Sequence, residues 1–189
     1  MKEATEENVL QLPLSTHHNW INYLEDEFTK FEQLKNRGVR LRGSVIHFML
    51  SFIGNLSTGD KAEFLELALF QASLNYPGLP NLKAHLEVVE KLLAAPELKP
   101  CFYVADAEVQ TELEVVNSLG HTKRLDRLII NEKTKEVRIV DYKSGADVEG
   151  KYQEQVKEYI AILKELHPRY TVKGFLVYMD KLEVQEVKI

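Results

Sequence analysis

The hydrophobic period of the chain changes at Pro96 and Pro100, and that change narrows the folds open to it. Before it, apolar residues recur at helical spacing. Ser15 or Thr16 is placed to cap a helix carrying Trp20, Ile21, Leu24, Phe28 and Phe31, with His17 and His18 in its first turn. "RLRGSVIHFMLSFIGNL" predicts a second helix stopped by Gly54-Asn55. "GDKAEFLELALFQASLN" and "NLKAHLEVVEKLLAA" predict two more, separated by the breaker "YPGLP". After the prolines, "CFYVADAEVQTELEVVNSLG" is β-branched and alternating, and "HTKRLDRLIINEKTKEVRIVDYKSG" reads as a hairpin over "NEKTKE". A helix over "GKYQEQVKEYIAILKELH" and two strands in "YTVKGFLVYMDKLEVQEVKI" complete the order. Helices, three strands, a helix and two strands predict an α/β domain with a mixed central sheet and a helical N-terminal half.

The pattern divides into a tail or linker at 1–14, a helical part at 15–100 carrying His47, and a sheet-bearing core at 101–189. Its 189 residues, 44% hydrophobic, suffice for one domain with a real core. No run of about 18 apolar residues is present to span a membrane, and "MKEATEENVLQLP" is acidic where a signal peptide is basic and then apolar. A cytoplasmic setting without a membrane partner is the default expectation. Cys101 is the single cysteine, which excludes an internal disulfide and a four-cysteine cluster built by this chain alone. The net charge of -5 argues against binding nucleic acid by overall electrostatics and leaves only a local basic patch for that purpose.

The segment "RLDRLIINEKTKEVRIVDYKSG" sets carboxylates inside or at the ends of apolar strands, where a charge is costly unless paired. On a strand, Asp141 and Lys143 share one face and Tyr142 takes the other. Asp126 lies in the preceding strand, and upstream Glu112 and Glu114 again share a face. Two like charges ~4 Å apart repel by roughly 4 kcal/mol at an effective dielectric of about 20, so such a cluster calls for a cation. Oxygen donors without sulfur suit Mg²⁺ or Mn²⁺. A divalent ion beside a lysine is the equipment for hydrolysing a phosphodiester. The plainer alternative pairs Asp126 with Arg127 or Arg124 and Asp141 with Lys143, and leaves the glutamates in solvent.

"LDRLII", "VRIVDYKSG" and "YQEQVKEY" together resemble the nuclease domain of RecB and AddA type within the PD-(D/E)XK superfamily. The matching residues are Asp126 with Arg127, Asp141 and Lys143 with Ser144-Gly145, and Gln155 with Tyr159; "RGSVIHFML" is similar to the family's Gly-x-x-x-His helix and places His47 at its metal-facing histidine. The resemblance spans about residues 40 to 180. It implies a restriction-endonuclease-like core and a centre in which Asp126, Asp141, His47 and the Tyr142 carbonyl hold Mg²⁺ or Mn²⁺. It makes Lys143 the catalytic lysine and adds a glutamate, Glu112 or Glu114, with Glu112 preferred because "TELEVV" leads into an apolar run. Tyr152, Gln155 and Tyr159 share one helical face and are expected to touch DNA or support the site. Lys123, Arg124, Lys151 and Lys157 could supply a positive rim.

Relatives with an iron–sulfur cluster require four cysteines, so the cluster-free RecB and AddA side fits better. No Gly-x-x-x-x-Gly-Lys-[Ser/Thr] loop occurs, so the chain lacks the usual ATP-driven motor. The expectation is a metal-dependent DNA exonuclease acting on linear ends in DNA repair and recombination. It would be either a stand-alone enzyme or the nuclease domain of a longer UvrD- or RecB-like helicase. The competing expectation is a catalytically inactive module that binds DNA or supports assembly.

Overall fold

The computed structural model describes residues 38–116, 120, 122–145 and 150–189. The expected tail at 1–14 and the helix over Trp20 to Phe31, with His17 and His18, lie outside them. Residues Val39–Ile189 form one compact unit. Its helices are α1 (38–50), α2 (Lys61–Asn75), α3 (Leu82–Ala94), the short α4 (Lys99–Phe102) and α5 (Lys151–Leu166). Its strands are β1 (Ala107–Val116), β2 (Thr122–Asn131), β3 (Glu136–Lys143), β4 (Thr171–Tyr178) and β5 (Glu183–Val187). They form a single sheet in sequence order, antiparallel except for the parallel pair β3 and β4. A parallel pair needs a long crossover, and α5 supplies it.

Alternation along β3 sorts the interior into two cores. Val137 and Ile139 pack with Val156, Tyr159, Ile160 and Leu163 of α5, while Val140 and Tyr142 pack with Val45, Ile46, Met49 and Leu50 of α1 and with Phe102. The sheet therefore carries α5 on one face and α1 to α4 on the other. The mixed five-stranded sheet with flanking helices is the α/β, restriction-endonuclease-like architecture expected from the order of periods. Gly174 on β4 is what lets α5 lie close. A Cβ there would fall 2.4 Å from Val156 Cγ1 and 2.8 Å from Ile160 Cδ1. Gly174→Ala is expected to cost about 1–3 kcal/mol through overpacking, measurable as a lower urea midpoint; an unchanged midpoint would show that α5 can shift without loss.

One boundary differs from the alternating pattern. β1 begins at Ala107, and Cys101 and Phe102 lie instead in α4. Pro96 and Pro100 each sit in a first helical turn, where a missing N–H costs nothing. Buried Asn55 then fixes the approach to β1. Its amide donates to the carbonyls of Val104 (2.6 Å) and Ala107 (2.9 Å), and its Oδ1 accepts the Val104 N–H (3.2 Å). The hairpin turn falls where "NEKTKE" places it, with Asn131 Oδ1 accepting from the N–H groups of Lys133 and Thr134.

The β1–β2 hairpin has an irregularity that shapes the site. Ala107 and Val109 pack in the α1 core, yet Leu113 and Val115, an even number of residues on, pack in the α5 core. On β2, Leu125 and Leu128 are three apart and share the α5 core. Both strands thus exchange faces at Glu112 and Asp126, while the pairing Thr111↔Arg127 resumes in unchanged register at Leu113↔Leu125. The pivot is Glu112, whose φ of 53° is uncommon for a residue with a side chain.

Candidate active site and metal centre

β2 and β3 stay paired from Asn131↔Glu136 to Arg127↔Val140 and then part. Asp126 and Asp141 stand at the parting. Asp126 Oδ2 accepts the Tyr142 backbone N–H at 2.8 Å, so a side chain fills the place of a strand carbonyl. The same oxygen lies 3.5 Å from Nδ1 of His47 on α1. Gly43, one helical turn before His47, makes this approach possible: a Cβ there would fall 2.7 Å from Ser144 Oγ, just beyond the end of β3.

Asp141 is 2% exposed. Lys143 Nζ lies 2.7 Å from its Oδ2 as an ion pair, and this buried oxygen has no other hydrogen-bond partner among the described residues. Burial pushes the Asp141 pKa up to about 6, reinforced by the charge on Asp126 and opposed by Lys143. Lys143 is held in turn by α5. Its Nζ donates to Gln155 Oε1 at 3.1 Å and sits 4.9 Å from the centre of the Tyr152 ring. The Gln155 amide donates to Tyr159 Oη, and Tyr159 donates to the Arg124 carbonyl at 3.2 Å. The face shared by Tyr152, Gln155 and Tyr159 is therefore directed at the lysine and at the start of β2.

The two glutamates separate. Glu112 lines a cleft beside His47, with its Oε2 2.9 Å from Arg124 Nε. Burial raises its pKa, the neighbouring Asp126 adds to this, and Arg124 and His47 oppose it. Glu114 is exposed. Of the residues expected to supply a positive rim, Lys123 pairs with Glu158 at 3.0 Å, Arg124 with Glu112 and Lys157 with Glu154 at 2.8 Å.

Arg127 is the residue that sequence patterning understated. It is fully buried and does not pair with Asp126. Its guanidinium donates to the carbonyls of Cys101 (2.8 Å), Ile53 (2.6 Å) and Gly54 (2.8 Å) and lies 4.9 Å from the centre of the Phe102 ring. It thereby ties β2 to the end of α1 and to α4, next to the aspartate that faces the site. An Arg following an Asp in an apolar strand was the available signal; its partners are backbone atoms distant in sequence.

The donor set suits a hard divalent cation. Asp126, His47 and Asp141 stand at one strand fork, and the buried Asp141 Oδ2 has no hydrogen-bond partner beyond the Lys143 ammonium among the described residues. Among the described residues, no group of three or more His, Cys, Asp or Glu side chains is already gathered for a metal. Residues 22–188 match the PD-(D/E)XK nuclease superfamily. The chain belongs to that superfamily. Its members are generally nucleases and typically use divalent metals such as Mg²⁺.

No curated protein matches the chain. A solved structure titled "Crystal structure of SSO0001" is similar at 17% identity with a TM-score of 0.30, a likeness too slight to carry an argument. The match covers 76% of this chain and 65% of that one, so this PD-(D/E)XK chain spans just under two thirds of the other's length. No helix among the described residues is long and apolar enough to cross a membrane.

Proposed function

We propose that this superfamily member is a divalent-metal-dependent DNA exonuclease. In this reading Asp126, Asp141, His47 and the Tyr142 carbonyl hold Mg²⁺ or Mn²⁺, Glu112 completes the acidic side, and Lys143 is the catalytic lysine. The observation that carries it is the convergence of Asp126, Asp141 and Lys143 at the β2–β3 fork, with Lys143 held by Gln155 of α5. A bound ion would neutralise charge on the scissile phosphate and lower the pKa of a water.

The chain's own residues supply the rest. Lys143, restrained by Asp141 and Gln155, presents its ammonium to a phosphoryl oxygen where negative charge develops. Tyr159 and Gln155 fix its direction, so little reorganisation is needed when the phosphodiester reacts. Asp126 keeps the fork open by accepting the Tyr142 N–H. RecB and AddA type nuclease domains act on linear ends beside a UvrD- or RecB-like helicase in repair and recombination, and the same setting is proposed here.

The test is degradation of end-labelled linear single-stranded and double-stranded DNA, with a closed circle as control, in Mg²⁺, Mn²⁺ and EDTA. Metal-dependent loss of linear DNA, with the circle spared and the activity reduced at least 10²-fold in Lys143→Ala, is the expected result. DNA binding without cleavage in any metal would instead make the chain a nuclease-like binding module.

A further inference from the structure

The Glu112 cleft continues away from the carboxylates as a space of about 630 Å³, within the range of small-ligand sites. One wall is a polar stripe of α1. Arg40, Ser44 and His47 are four and three residues apart and share one helical face. From Arg40 to His47 is about 10 Å along the axis, a reach of a nucleotide or two from the proposed centre. Arg124, which meets Glu112 through Nε at 2.9 Å and is about two-thirds exposed, lines the same space. Phe48 and Tyr76, both half-buried, line the same space. Their rings meet edge to face, with centroids 5.5 Å apart and planes at 83°, and Phe48 meets Phe52 in the same way at 5.1 Å, so that Tyr76 keeps at least one face uncovered by Phe48.

Guanidinium groups and hydroxyls beside aromatic faces are the elements of single-strand recognition, in which phosphates take the charges and bases stack. A base inside a duplex already has both faces covered by its neighbours. Resting on the nuclease reading above, we propose that this cleft is a subsite for one unpaired nucleotide next to the scissile bond, its phosphate on Arg40 and Arg124 and its base on Phe48 or Tyr76. The substrate class is then a single-stranded DNA segment, and a duplex is taken only where its end has opened.

The test is fluorescence anisotropy in EDTA, where nothing is cut, with the whole chain and labelled short oligothymidylate, a mixed-sequence single strand and a blunt duplex. Single strands are expected to bind about tenfold or more tightly than the duplex. Tyr76→Ala is expected to weaken single-strand binding about tenfold while Tyr76→Phe retains it. Arg40→Ala, at an exposed position, is expected to reduce the salt slope by about 0.7 for the one lost phosphate contact. Lys164→Ala, exposed on α5 away from the cleft, is the charge control and should match wild type. Equal affinity for single strands and duplex, or wild-type binding and salt slope in Arg40→Ala, overturns the subsite while the nuclease reading stands on cleavage. Failure to bind or cut any DNA overturns both.

Discussion

Metal-free protein carrying Asp141→Asn is expected to melt above wild type at neutral pH while having lost DNA cleavage. Asp141 is 2% exposed, and burial together with the charge on Asp126 moves its pKa from the ordinary aspartate value of 3.8 up to about 6. A carboxyl with a raised native pKa holds a proton that the unfolded chain has released. Stability of the metal-free fold therefore falls as pH rises from about 4 through about 6, and the cost is fully present above that window. Asparagine copies the neutral carboxyl and removes the cost, which at about 1.4 kcal/mol per pKa unit is bounded by ~3 kcal/mol.

Thermal melts in EDTA should show wild type gaining stability between pH 7.5 and pH 5 and the variant changing less. Added Mg²⁺ should reverse the order at neutral pH, since a ligand bound only by the native state stabilises it and the variant lacks one carboxylate. A variant that melts below wild type at both pH values without metal would show that the Lys143 ion pair outweighs desolvation.

The second large effect belongs to a residue outside the proposed chemistry. Arg127→Met should cost about 3–5 kcal/mol, because methionine fills the space of the stem and leaves two buried carbonyl contacts and one half-buried one without their donor. Arg127→Lys should recover only part of the loss, since one ammonium cannot reproduce a planar fork aimed at Ile53, Gly54 and Cys101. Urea unfolding gives the magnitude. A loss below about 1 kcal/mol would show that the carbonyls find water. Cleavage by any folded Arg127 variant should fall as well, because the same contacts hold the end of the helix that carries His47.

Local rules made the sheet order and the hairpin legible. Period-two alternation, the "NEKTKE" turn and the α5 crossover are all written within neighbouring residues. The start of β1 was misread because Pro96 and Pro100 open helical turns here, and because Asn55, about fifty residues upstream, decides where the strand begins. Proximity at the site was partly legible: the spacing of Asp141 and Lys143 put them on one face, and the α5 face of Gln155 and Tyr159 could be read from its period. The separation of Glu112 from Glu114 was open by spacing alone, because it follows from a left-handed residue at a point where two strands change sides together. The cleft residues Arg40 and Tyr76 gave no local signal, since they meet only when α1, α2 and the hairpin are assembled.

The exchange of faces at Glu112 and Asp126 also guards against misfolding. In a regular hairpin, a slip of one residue turns one apolar row outward. Here the two halves of β1 serve different cores, so the same slip would misplace Val109 on one side and Val115 on the other. It would also move Glu112 away from Asp126. Errors of strand alignment that would disarm the centre are thus the ones the interior rejects most strongly, and chains that complete folding arrive with their acidic residues already opposed.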